Sequence, residues 1–373
     1  MVRIDNHSGL PHLLYEKAAP SGERFDVLVL RGTFDFARDG EPMALATEQR
    51  PILLGDRYDG PVSSQPLKAV IAEEGDLVLG KPGTDVLMQG HLRPRKGTPT
   101  ELWQAELSLG SLSKTIRVNG PREIRDSLTG WRLGEATPVE QVPLDYRLAY
   151  GGCFYDPEAP AEGAQAASVH YPMNAAGCGW LPSSADFKRL DSDVRQRIEK
   201  QVSLIRRLPA PQLEDPLTPP HQKLTPQGFG PIARWWEPRV SLQGTFDEQW
   251  QQHRSPLLPA DFDPRFYQSA PASLVATPYL GGDEIVRLKG CLVEGECSMR
   301  LPGVAPLVLI DESSPSGHAQ LPPLDTVRID LDRRQATLLW RLPLAQQAAP
   351  RRLSIGLVAV SALQTFGKKG ARP

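Results

Sequence analysis

Apolar and polar positions alternate in short runs along this chain, and the first clear run covers 25–36. There Phe25, Val27 and Val29 alternate with Asp26, Leu28 and Leu30. Both faces are apolar, which predicts a strand inside a sandwich rather than on its surface. Similar runs predict strands over Leu67 to Ala72, Asp85 to Leu92, Leu102 to Leu109 and Ser111 to Val118. The last two read as a hairpin turning at Gly110 and closed by Asn119-Gly120. Together they make an N-terminal antiparallel unit over 1–140.

The pattern changes between 141 and 271, where Pro, Gly and aromatic residues crowd out alternation. One helix stands clear of this background. Leu190, Val194, Ile198, Val202 and Ile205 recur at three- and four-residue spacing, predicting a helix near 190–208 that Asp191 or Ser192 caps and Pro209 stops. A second short helix is expected from Phe246 to His253. Alternation returns in the last segment, 272–373. Val327, Ile329 and Leu331 lead through Arg333-Arg334-Gln335 into Ala336, Leu338, Trp340 and Leu342, a hairpin expected to keep one wet face. The run Leu353, Ile355, Leu357, Ala359 should pair beside it. The fold class is therefore mainly β: antiparallel sandwich-like units at both ends, free to pack on each other, joined by a central segment with one or two helices.

Composition supports short elements. With 37 Pro and 32 Gly in 373 residues, the chain is punctuated too often for long helices. A formal charge of −2 gives no basic field for nucleic acid; only the tail Lys368, Lys369 and Arg372 is locally basic. Met1 to Leu14 lacks the apolar run of a signal peptide, and no later stretch approaches the ~18 apolar residues of a membrane-crossing helix, so a cytoplasmic protein is expected. Cys153, Cys178, Cys291 and Cys297 are then reduced thiols, although Cys291 and Cys297 flank a Glu294-Gly295-Glu296 turn at a spacing that a disulfide across a hairpin would use.

Catalytic signatures do not emerge. The phosphate loop, the serine elbow and the zinc helix are missing from the sequence, and no two of the seven histidines stand three or four residues apart. Neither a cofactor nor a metal is called for. The best pair for chemistry is Asp261 and Asp263, which in an extended segment point the same way about 7 Å apart, within the range of inverting glycosidases. Beside Pro264 and Arg265 the same pair also reads as a turn held by local bonds. Trp180, Trp235, Trp236 and Trp250, with Phe229, Phe262, Phe266 and Tyr267 and the arginines Arg234, Arg239 and Arg265, have the composition of an interface hot spot or of a packed joint between β units.

Six ordered blocks carry a resemblance. They are Pro143-Leu-Asp-Tyr-Arg-Leu-Ala-Tyr-Gly-Gly152, Asn174-Ala-Ala-Gly-Cys-Gly-Trp180, Leu213-Glu-Asp-Pro216, Gly228-Phe-Gly-Pro-Ile232 with Trp236-Glu-Pro-Arg239, Gly244-Thr-Phe-Asp247 with Trp250, and Leu258-Pro-Ala-Asp-Phe-Asp-Pro-Arg-Phe266 with Ala270-Pro271. In this order they resemble the type VI secretion effector adaptors, or chaperones, of domain of unknown function 2169. The resemblance implies a non-enzymatic protein that recognises a PAAR-domain effector and helps load it onto the VgrG spike, with no membrane or nucleic-acid partner. It offers as partner-binding candidates Arg147, Tyr150, Gly151, Gly152, Trp180, Phe229, Trp235, Trp236, Arg239, Asp261, Asp263, Arg265 and Phe266. Two departures stand out: Ala175 replaces the family's usual proline after Asn174, and the helix near 190–208 looks like an insertion. A carbohydrate-active sandwich using Asp261 and Asp263 is the alternative.

Overall fold

The structure is a computed structural model, and it describes residues 2–59, 65–159, 167–218, 224–311, 318–346 and 352–363. The basic tail, His221 and most of the alanine-rich stretch before Ala167 lie outside them.

The longer strands are, in chain order, β1 (Arg3–Asn6), β2 (His12–Ala18), β3 (Arg24–Asp35), β4 (Thr84–Gln89), β5 (Leu102–Leu109), β6 (Leu112–Asn119), β7 (Ile285–Lys289), β8 (Glu296–Arg300), β9 (Val304–Asp311), β10 (Leu324–Asp330), β11 (Gln335–Ala345) and β12 (Arg352–Ala359). The largest sheet runs β2-β3-β11-β10-β4 and ends on Val275–Ala276, with Ala44–Leu45 beside β3. A second sheet runs from Leu213–Glu214 through β6, β5 and β7 to β8, and a third orders β1, β12, β9 and His318–Gln320. Leu28, Leu30, Met88, Ile329 and Trp340 of the first sheet share one continuous core with Leu107, Ile116 and Leu288 of the second. This is the sandwich principle: each sheet buries the apolar face that it cannot leave wet.

The mainly β fold is as expected, and β5 and β6 form the expected hairpin at Gly110, which has positive φ, with Leu109 opposite Leu112. Several details differ. β12 does not join the β10–β11 hairpin; it pairs with β9 and, in parallel, with β1. β10 also pairs in parallel with β4, so the ladder is not purely antiparallel. The first and last segments of the chain interleave, since β3 lies against β11 along eleven residue pairs.

The expected wet face of that hairpin is also corrected. Arg328, Asp330, Thr337 and Arg341 are all buried; Arg328 and Arg341 bond to Glu74 and Asp76, and Arg50 stands 3.8 Å from Asp330. Leu67 belongs to a 3-10 turn, Pro66–Lys68, and the strand begins only at Ile71. Tyr146–Leu148 is likewise a 3-10 turn, capped by Asp145. The helix α1 is shorter than its stripe predicts, Ser192–Ser203, and its N-cap Asp191 makes no side-chain cap bond. It ends well before Pro209, which lies in the strand Arg207–Pro209. Its apolar face packs on Trp180, Phe187 and Val169 as a separate small core. The short helix α2, Glu248–His253, starts where Asp247 accepts a bond from the Trp250 amide.

Candidate functional site

The motif blocks fold onto one another. Asn174, fully buried, donates from Nδ2 to the carbonyls of Tyr146 (2.8 Å) and Tyr150 (3.2 Å), tying the second block to the first. Tyr146 donates to the Gly230 carbonyl (3.2 Å) and meets Trp236 edge-on at 5.8 Å, which adds the fourth block. Gly151 is obligatory here, because a Cβ on it would lie 2.0 Å from the Asn174 carbonyl. The Met88 amide of β4 donates to the Phe229 carbonyl at 2.9 Å and anchors the assembly on the main sheet.

This packing corrects several candidate contact residues. Phe229 (0% exposed), Trp236 (1%), Arg239 (3%) and Trp180 (7%) are interior, as is Gly151. No partner reaches them in this conformation. Their role is to fill the joint that a Pro- and Gly-rich segment, poor in regular hydrogen bonding, cannot otherwise hold. Tyr150, Gly152, Trp235, Asp263 and Phe266 are half-buried, and Arg147, Asp261 and Arg265 are exposed. The two aspartates do not act as a pair. Asp261 accepts from the Thr245 amide and hydroxyl (3.0 and 2.8 Å), while Asp263 caps the turn Pro264–Tyr267 and holds Arg265 at 2.5 Å. Those local bonds, first the Thr245 amide for Asp261 and the Arg265 side chain for Asp263, hold both carboxyls below the usual range.

Beneath these blocks lies a feature with no sequence signature: an acidic loop clasped by arginines. Asp76 accepts from Arg31 (2.8 Å) and Arg328 (3.0 Å), and its carbonyl takes Arg341 at 2.8 Å. Glu73 holds Arg31 at 3.2 Å, and Glu74 bridges Arg239 (2.7 Å) to Arg234 (3.1 Å). Burial pushes the Glu74 and Asp76 carboxyls up, but Arg239 and Arg234, and Arg328 and Arg31, outweigh it, so both stay below the ordinary carboxylate range. The main sheet thereby grips the central segment through charges that are individually costly to bury and are offset by their ion pairs, although Nε of Arg31, Arg328 and Arg341 has no partner among the described residues.

On the outer side of this clasp is an open groove of about 490 Å³. Its walls come from six separated stretches: Arg57 to Asp59, Val70 to Glu73, Gln89 to His91, Pro143 to Tyr146, Gly230-Pro231, and Asp330 with Asp332 and Arg333. Arg147 stands at the rim, holding Asp145 (2.7 Å) and Asp59 (2.5 Å) together. Asp332 takes His91 at 2.7 Å and Arg93 at 2.8 Å. Burial raises its carboxyl, yet the bonds from His91 and Arg93 prevail and hold it low. Trp235 stacks on the groove residue Tyr58 at 6.4 Å. Of the sequence-derived candidates, the groove thus gathers Arg147 and Trp235. It adds Arg57, Tyr58, Asp59, His91, Asp332 and Arg333, which sequence spacing had no way to assemble.

This surface presents charged side chains and ring faces. Burial pushes the thiol of Cys153 up to about 11 and those of Cys178 and Cys291 to about 12, so they are poor nucleophiles near neutral pH. All four cysteines are free, so Cys291 and Cys297 do not pair. Among the described residues there is no cluster of side chains arranged to hold a metal, and no helix is long and apolar enough to cross a membrane.

A family model described as "Uncharacterized protein conserved in bacteria (DUF2169)" matches residues 21–341. That span takes in all six blocks, the clasp and every wall of the groove. No curated protein and no solved structure shows significant similarity to the chain.

Proposed function

The chain belongs to that uncharacterized bacterial family, and from it we propose that the protein is a non-enzymatic cytoplasmic adaptor that captures a PAAR-domain effector of type VI secretion and helps load it onto the VgrG spike. The observation that carries this reading is the convergence of two of the motif blocks, the first and the fourth, on the groove. Pro143 to Tyr146 and Gly230-Pro231 form one wall, and Arg147 guards the rim. A groove built on rigid, interlocked turns loses little conformational entropy when a partner enters, which favours recognition of a folded or extended protein surface. Its lining of paired Arg and Asp suits a partner that exchanges ion pairs at the rim while covering Tyr58 and Trp235.

The test is capture of the PAAR-bearing N-terminal part of an effector encoded beside this gene, using the purified full chain. A defined complex is expected, and Arg147→Glu should weaken it at least about tenfold while leaving the melting temperature in place. Failure to capture any neighbouring effector removes the proposal.

A further inference from the structure

Between Pro121 and Thr137 the chain leaves the body as an arm. Its neck is tight: the Thr137 amide donates to the Pro121 carbonyl at 3.0 Å, and a Cβ on Gly120 would sit 1.8 Å from the Thr137 carbonyl. Beyond the neck the arm is a small sheet in which Glu123–Arg125 lies between Arg132–Leu133 and Arg207–Pro209. Register gives its two faces opposite characters. Arg125 is directly opposite both Arg132 and Arg207, so three arginines point to one side. Ile124 is opposite both Leu133 and Leu208, so the other side is apolar.

Aligned like charges oppose strand pairing unless something neutralises them. Glu123 does so for Arg125, at 2.9 Å. Among the described residues Arg132 and Arg207 have no carboxylate partner; Arg132 spends its Nε on the Thr129 hydroxyl. A depression of about 690 Å³ is lined by Arg122, Arg125 and Arg207 together with Glu123 and Glu135. Trp131 and Leu133 are exposed, and Leu128 stands free at the tip. Arg132–Leu133 is the outer strand of this sheet, with no neighbour on its far side among the described residues.

We infer that this arm is a second docking surface, which binds an extended segment of a partner protein whose acidic and aliphatic residues alternate. Such a segment adds as a strand outside Arg132–Leu133. Its carboxylates then fall on the side of Arg132, Arg125 and Arg207, and its aliphatic side chains fall on the side of Leu133 and Ile124. Charge complementarity selects the acidic segment, and the period of two selects alternation. A free anion satisfies the arginines alone and leaves Trp131, Leu133 and the strand edge uncovered. The site lies apart from the groove and does not depend on which effector is carried.

The experiment uses the full chain and a fluorescein-labelled peptide of alternating Glu and Val, read by fluorescence anisotropy. Controls are the same peptide with Lys for Glu, and the Glu peptide with a central proline. Binding of the Glu peptide at least tenfold tighter than either control is expected. The triple variant R125E/R132E/R207E, checked for an unchanged melting temperature, should lose that binding tenfold or more and prefer the Lys peptide. Equal binding of Glu and Lys peptides, indifference to the triple variant, or displacement of the peptide by millimolar inorganic phosphate or a short single-stranded DNA would overturn the inference. Effector capture is scored separately: a chain that binds the peptide but captures no effector refutes the adaptor reading and leaves the arm standing.

Discussion

At the scale of single residues, the interior charges decide more than the exposed ones. Asp76 is wholly buried with two guanidinium groups on its carboxylate. Asp76→Ala leaves Arg31 and Arg328 short of a counter-charge, and should destabilise the protein by about 3–5 kcal/mol, measured by urea denaturation. The same clasp sets an acid limit. Folding holds Glu74 and Asp76 below their ordinary values of 4.5 and 3.8. Their contribution is therefore complete above those values and is lost as pH falls through the lower, folded ones. The urea midpoint should stay level from about pH 7 to pH 5 and drop below about pH 4, and Asp76→Asn should flatten that drop. For Phe229 and Trp236, burial makes the prediction one of stability. Either residue changed to Ala should cost about 3–5 kcal/mol, and any loss of partner capture should follow the fraction unfolded rather than precede it. Wild-type melting in either variant would return these rings to the surface.

Element boundaries show where local sequence rules hold and where packing overrides them. The β5–β6 hairpin follows from its alternation and its two-residue turn, and Glu248–His253 follows from its Asp247 cap, because each is stabilised by neighbours in the chain. Around Tyr146 a side chain sets the backbone: Asp145 takes the Arg147 amide at 2.8 Å and curls the chain into a 3-10 turn. The turn is what brings Asp145 and Arg147 to the groove rim. Gly151 then lets the backbone pass against Asn174. Gly151→Ala should disrupt that crossing, lowering the melting temperature by several degrees and loosening the α1 core nearby, visible as faster amide exchange around Trp180.

For the whole molecule, topology forbids folding by halves. The central partner of β3 is β11, some three hundred residues later, and β4 lies beside β10. A fragment of residues 1–140 lacks both partners and exposes the edges of β3 and β4. It should remain unfolded or aggregate, while the intact chain melts in one cooperative transition by calorimetry. A folded, monomeric 1–140 fragment with native-like circular dichroism would contradict this.

The amino-acid pattern alone determined that the chain is mainly β, where β3 to β6, β10 to β12 and the helix stripe lie, and which blocks mark its family, because alternation, turn chemistry and composition act over a few residues; it did not mark β2, β7, β8 or β9. Only tertiary structure decided what the conspicuous residues are for. Phe229, Trp236 and Arg239 look like contact residues in a list, and become core because Met88, Leu67 and Glu74, remote in sequence, bond to them. The acidic run Glu73-Glu74-Gly-Asp76 carries no motif that marks it, and becomes the clasp because Arg31, Arg328 and Arg341 reach it from strands far off in sequence. The groove and the arginine-faced arm belong to the same class. Each is made by side chains that long-range pairing sets side by side, and no local periodicity encodes a register between strands that the chain joins only after a long excursion.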